Sequence, residues 1–131
     1  MIVTPTYYVY KMYVPFEDAS FVPVSFLPGV YTHKNITLPR VDAIAARDTN
    51  GKLFLAIMNV DPNESLEINA SFTGMAAKSL VGETLTAPKV DSINSFDAPD
   101  VVVPKPISAK AQNGKLAVTV PPMSVTVVAV E

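Results

Sequence analysis

The chain has 131 residues, enough for one domain with a buried core and too few for a catalytic barrel with an accessory module. Its 10 basic and 12 acidic residues leave a formal net charge of -2, which gives no electrostatic footprint for nucleic acid or an anionic membrane. Cysteine is absent, which removes disulfides, thiolate catalysis and thiolate zinc sites together.

Residues 1–14 lack a basic n-region and carry Lys11 where a secretory core would be apolar, so no signal peptide is expected and a soluble, cytoplasmic chain is favoured. No apolar run approaches the roughly 20 residues of a membrane helix. Twelve prolines, about 9% of the chain against about 5% in ordinary usage, favour many short strands broken by turns. Thr4-Pro5 predicts a helix start, because threonine caps free amides and the fixed φ of proline suits the first helical position. The helix should run over residues 5–13, with Tyr8, Val9, Met12 and Phe16 on one face and Pro15 ending it.

From Ser20 the hydrophobic period changes to two. Eight strands are expected, over 21–27, 41–47, 52–60, 65–72, 77–86, 107–112, 115–120 and 124–130. Asn50-Gly51 and Asn113-Gly114 predict two-residue hairpin turns. Asp61-Pro62-Asn63 predicts a turn between strands 52–60 and 65–72. Pro88, Pro99, Pro104 and Pro106 mark residues 87–106 as a long crossover, of the kind found in a jelly roll or Greek key. The fold class is therefore all-β, a jelly-roll-like antiparallel β-sandwich with one short N-terminal helix.

Strand 65–72 alternates, with Leu66, Ile68, Ala70 and Phe72 against Glu67, Asn69 and Ser71, so one face should be wet. Strands 41–47, 52–60 and 124–130 are apolar on both faces. That exceeds what a free two-layer sandwich requires, so one outer face should pack on the N-terminal helix, another domain or another subunit.

Candidate chemistry is sparse. Glu64 and Glu67 are three apart and project to opposite faces of a strand, so they cannot serve as the paired carboxyl groups of a glycosidase. Asp48-Thr49-Asn50-Gly51 lacks the later ligands of a calcium loop, and Asp91, Asp97 and Asp100 read as turn caps. His33 is the only histidine and reads as a loop residue with no nucleophile motif around it. No catalytic, metal or cofactor-binding residue is expected. Flat rings can stack on sugars, but tryptophan is absent and Tyr7, Tyr8, Tyr10 and Tyr13 fall on the helix, where packing is expected. Tyr31, read as a loop residue, and Asn69 on the wet face are the candidate sugar contacts.

Four segments carry a resemblance. Thr4-Pro-Thr-Tyr-Tyr-Val-Tyr-Lys-Met-Tyr13, Asn59-Val-Asp-Pro-Asn63 with Leu66-Glu-Ile68, Asn94-Ser-Phe-Asp-Ala-Pro99 and Leu116-Ala-Val-Thr-Val-Pro-Pro-Met-Ser-Val125 follow one another as in the C-terminal region of glycoside hydrolase family 51 α-L-arabinofuranosidases. The chain resembles that region over nearly its whole length, with Ile93 departing where relatives carry histidine. The resemblance implies that residues 1–16 are similar to the last helix of a (β/α)8 barrel and that 17–131 form a C-terminal β-sandwich. It places the glutamate pair of a retaining enzyme upstream, so no catalytic residue carries over to this chain. It further implies a structural role beside the barrel, in cis or as a separate chain, in a parent enzyme that releases terminal α-L-arabinofuranosides from arabinan and arabinoxylan. A homo-oligomer would also suit the two-faced strands. The alternative is a stand-alone carbohydrate-binding module for plant cell-wall polysaccharide.

Overall fold

The computed structural model of the chain describes residues 4–24, 30–33, 36–39, 41–70, 77–87, 92, 94–98, 101–111 and 116–131. Helix α1 (Pro5–Met12) begins as expected: Thr4 sits in extended conformation and its hydroxyl accepts the Tyr7 amide at 3.2 Å. A short 3-10 turn (Val14–Phe16) follows, with Pro15 in its first positions.

Ten strands come next among the described residues: β1 (Ser20–Val22), β2 (Val30–His33), β3 (Ile36–Pro39), β4 (Val41–Arg47), β5 (Leu53–Asn59), β6 (Leu66–Ala70), β7 (Ser79–Leu85), β8 (Lys105–Lys110), β9 (Leu116–Val120) and β10 (Ser124–Val130). They form a six-stranded antiparallel sheet in the order β1-β4-β5-β10-β7-β8 and two antiparallel pairs, β2-β3 and β6-β9.

The β6-β9 pair covers the inner face of the large sheet. Leu116, Val118 and Val120 from β9, with Leu66 and Ile68 from β6, join Val41, Ala45, Leu53, Leu55, Ile57, Leu80, Val128 and Val130 in one core. This is the two-layer solution for strands that alternate apolar and polar. Glu67 and Asn69 on β6, and Ala117 and Thr119 on β9, face outward and are exposed, as the alternation of that segment predicts.

Helix α1 lies on the opposite face of the large sheet. Met12, with Tyr8, Val9, Tyr13 and Phe16 around it, packs on Ala56, Leu85 and Val127, and Ile44 lies beside them. One of the expected covers for the two-faced strands is thus the helix itself. Central strand β10 is accordingly buried on both sides, with only Val125 half-buried.

Several expectations need correction. The expected hairpin between β4 and β5 forms, but its connection spans residues 48–52 instead of being a two-residue turn. Asp48 organises it by accepting the Asn50 and Lys52 amides, each at 2.9 Å, while the Gly51 amide bonds the Asp48 carbonyl at 3.0 Å. Gly51 takes the positive φ of +81°. Asn113-Gly114 lies outside the described residues, and the strands on either side do not pair as a hairpin: β8 pairs with β7, and β9 with β6. Tyr31 and His33, expected in a loop, belong to β2, a strand too short to show a period in sequence. The crossover ends before Pro106, which lies within β8. An edge strand tolerates a residue without an amide donor on its unpaired side.

Candidate functional site

The most distinctive surface is the outer face of the large sheet beyond the helix. Cross-strand register aligns Val81, Ala129, Phe54, Ala46 and Phe21 in one row across five strands, because directly paired residues of antiparallel strands point to the same side. Ala46 and Ala129 are small and buried, whereas Val81 and Phe21 at the ends of the row are exposed, Phe21 by 68%. Met58, one register row beyond the helix-covered centre, is exposed as well. Phe54 is half-buried, with the Lys52 ammonium 5.9 Å from its ring centre.

A groove of about 180 Å³ runs between Met12 and Pro15 on the helix side and Phe54, Val81 and Ala129 on the sheet side. It is open and of mixed character, with Lys11 and Glu83 beside the apolar side chains of its lining. A second depression of about 430 Å³ lies where β8 and β9 face each other, between Ile107, Ala109 and Val118. Its polar members, Ser108, Lys110 and Thr119, are exposed side chains on strand surfaces.

The helix divides its tyrosines between two sides. Tyr8 and Tyr13 are half-buried, and the Tyr13 ring lies 5.4 Å from Phe16. Burial first, and the negative charge of Asp42 second, raise the Tyr13 phenol above its ordinary value of 10.0. Tyr7 and Tyr10 lie opposite Tyr8, Val9 and Met12 at about 100° per residue and are exposed; Tyr10, 75% exposed, does not pack as expected, while Tyr7 keeps an edge contact with the Tyr8 ring at 5.8 Å.

The candidate sugar contacts are in separate sheets: Tyr31 in β2, and Asn69 exposed on the wet face of β6 opposite Ala117. Among the described residues no three His, Asp or Glu side chains come together in a set that could hold a metal ion. Nor is any helix among them long and apolar enough to cross a membrane.

The sequence matches the α-L-arabinofuranosidase C-terminal domain over residues 1–124. The chain belongs to that family. An intracellular exo-α-L-arabinofuranosidase of Bacteroides ovatus is 36% identical over 127 residues, which is 95% of this chain and 25% of that protein. The structure superposes on the glycoside hydrolase family 51 arabinofuranosidase of Xanthomonas axonopodis pv. citri with a TM-score of 0.94 and 27% identity, covering 100% of this chain and 27% of that one. The thermostable family 51 α-L-arabinofuranosidase of Thermotoga petrophila shares the fold, with a TM-score of 0.82 at 24% identity over 99% of this chain and 29% of that one. The chain thus spans about a quarter of the length of these relatives.

In this α-L-arabinofuranosidase C-terminal domain two of the segments that carry the resemblance, 59–63 and 94–99, hold bracing asparagines. Asn59 is 2% exposed; its amide donates to the Glu64 and Pro121 carbonyls, each at 2.9 Å, and its oxygen accepts the Asp61 amide at 3.1 Å. Asp61 accepts the Asn63 and Glu64 amides, and its carbonyl accepts the Met123 amide at 2.9 Å. Two turns distant in sequence are thereby tied at one end of the sandwich, and the buried polar atoms are satisfied. Asn94 does the same in the crossover: its amide group donates to the Val102 carbonyl at 2.8 Å and accepts the Val102 amide at 2.7 Å. Sequence reading marked the 61–63 turn but not the roles of Asn59 and Asn94. An asparagine beside a turn or among prolines carries no signal that separates a buried clasp from a solvated cap.

Proposed function

We propose that this domain has no active site of its own and braces a catalytic (β/α)8 barrel that precedes it in the same polypeptide. The barrel would release terminal α-L-arabinofuranosyl residues from arabinan and arabinoxylan by the retaining route. The observation that carries the reading is the outer face of the large sheet: covered in part by α1, it continues beyond the helix as an apolar row from Val81 to Phe21. An accessory domain that docks through one sheet face needs such a surface, whereas a free sandwich is better served by a wet one. The family membership and the arabinofuranosidase relatives supply the identity of the partner. In this reading residues 1–16 are the last helix of the barrel and 17–131 the sandwich, and Tyr7 and Tyr10 are the side of α1 left for the rest of the barrel. A cytoplasmic location accords with the relative described as intracellular.

Hydrolysis of a chromogenic α-L-arabinofuranoside tests this. The 131-residue chain should show none above background, and the polypeptide that carries the upstream barrel should hydrolyse it. Activity of the chain alone would overturn the reading. Retention of the chain on an arabinan gel, lost on Asn69→Ala or Tyr31→Ala, would assign it instead to carbohydrate binding.

A further inference from the structure

The crossover presents one side chain in an unusual way. Phe96 is 87% exposed, the most exposed of the large hydrophobic side chains among the described residues. A lone aromatic on a slack loop is ordinary, because the loop can fold it back. Among the described residues around Phe96, two sets of hydrogen bonds act as a clamp. Asn94 grips both the amide and the carbonyl of Val102, and both residues are buried. Within the clamp the Ser95 amide bonds the Ala98 carbonyl at 3.0 Å, and the Ala98 amide bonds the Ser95 hydroxyl at 3.2 Å, so Phe96 and Asp97 form the corner of a closed turn. The clamp is also anchored on a particular side of the molecule: Val102 packs in the cluster of Met12, Leu85 and Val127, beneath helix α1.

We propose that Phe96 is a preformed anchor that inserts into an apolar pocket of the catalytic domain and fixes the angle at which the sandwich docks. This rests on the reading that the catalytic domain lies in cis. It adds the residue and the mode: an aromatic ring at the corner of a turn that Ser95 and Ala98 close by mutual hydrogen bonds, so that little entropy is lost in placing the turn on docking. The occupant is the catalytic domain because the family's C-terminal domain is about a quarter of its relatives' length, and because Val102, at one end of the clamp, packs in the same cluster as α1, through which the chain enters the sandwich.

The test uses the polypeptide with its upstream domain, with Phe96 replaced by the photoreactive p-benzoylphenylalanine. Irradiation followed by peptide mapping should give a crosslink to a peptide of the catalytic domain. A crosslink to a second copy or to added arabinan, or no crosslink at all, would overturn the proposal. Phe96→Ala should leave the thermal midpoint of the 131-residue chain unchanged and shorten the half-life of arabinofuranosidase activity of the whole enzyme at elevated temperature at least tenfold. An unchanged half-life, or a lowered midpoint of the isolated chain, would contradict an anchoring role. An active enzyme whose residue 96 crosslinks nothing refutes the anchor alone; a whole polypeptide without arabinofuranosidase activity refutes the reading beneath it.

Discussion

Two glycines show how far local geometry decides what a position tolerates. A Cβ on Gly82 would run into the Val127 carbonyl oxygen and come within 2.7 Å of Val128 Cα, so β7 approaches β10 more closely than any side chain allows. At Gly51 the space is open and only the positive φ of +81° stands in the way. Gly51→Ala should cost about 1 kcal/mol. Gly82→Ala must force the two strands apart and should cost at least about 3 kcal/mol or abolish soluble expression. Urea midpoints of the two variants check the order. Tyr13 makes a different kind of prediction. Its folded-state value lies above the unfolded one, so the folded state holds the phenol proton longer. The stabilising contribution is complete below about pH 10 and is lost as pH rises through the folded value. Thermal midpoints measured from pH 8 upward should fall in the alkaline range, and Tyr13→Phe should remove part of that fall.

At the level of elements, what the sequence made legible was whatever left a periodic trace. Strands β4, β5, β6, β7, β9 and β10 lie within the segments where alternation or an apolar run places them, since each must bury one or two faces. The wet face of β6 follows from Glu67 and Asn69, and the buried face of α1 from Tyr8, Val9 and Met12. Partner choice was less legible. Asn113-Gly114 suggested pairing across the turn, yet β8 finishes the edge of the large sheet beside β7 while β9 turns into the other layer. Turn chemistry specifies how a chain can reverse, not which ladder its second strand joins. Register explains the outer row in the same way. Phe21, Phe54 and Val81 are separated by up to 60 positions in sequence, and only the β1-β4-β5-β10-β7 order makes them neighbours. The bracing asparagines were hidden for a related reason, since Asn59 reaches Pro121 across 62 residues.

Considered whole, the molecule is asymmetric between its two sheet faces. The inner face is closed by β6 and β9, whose own outer side carries Glu67, Asn69 and Thr119 and suits water. The opposite face is closed, among the described residues, by α1 and by Val102 of the crossover, and the row at its margin is apolar from Val81 to Phe21. An exposed margin of this kind contributes little to the stability of the domain itself, because its side chains lose little solvent contact on folding. It does favour association, since two such margins brought together remove apolar surface from water. Phe21→Lys should therefore leave the thermal midpoint of the isolated chain unchanged within about 1 °C, a surface substitution away from packing. The lysine would place a solvated charge in the apolar row, and copies apposed through this face would have to strip it of water. Sedimentation velocity over a concentration series should show the unsubstituted chain shifting to larger species as concentration rises and the Phe21→Lys chain remaining monomeric. Identical behaviour of the two would mean that Phe21 contributes nothing to self-association through this margin. A midpoint lowered by several degrees would show that the ring is already packed within the domain.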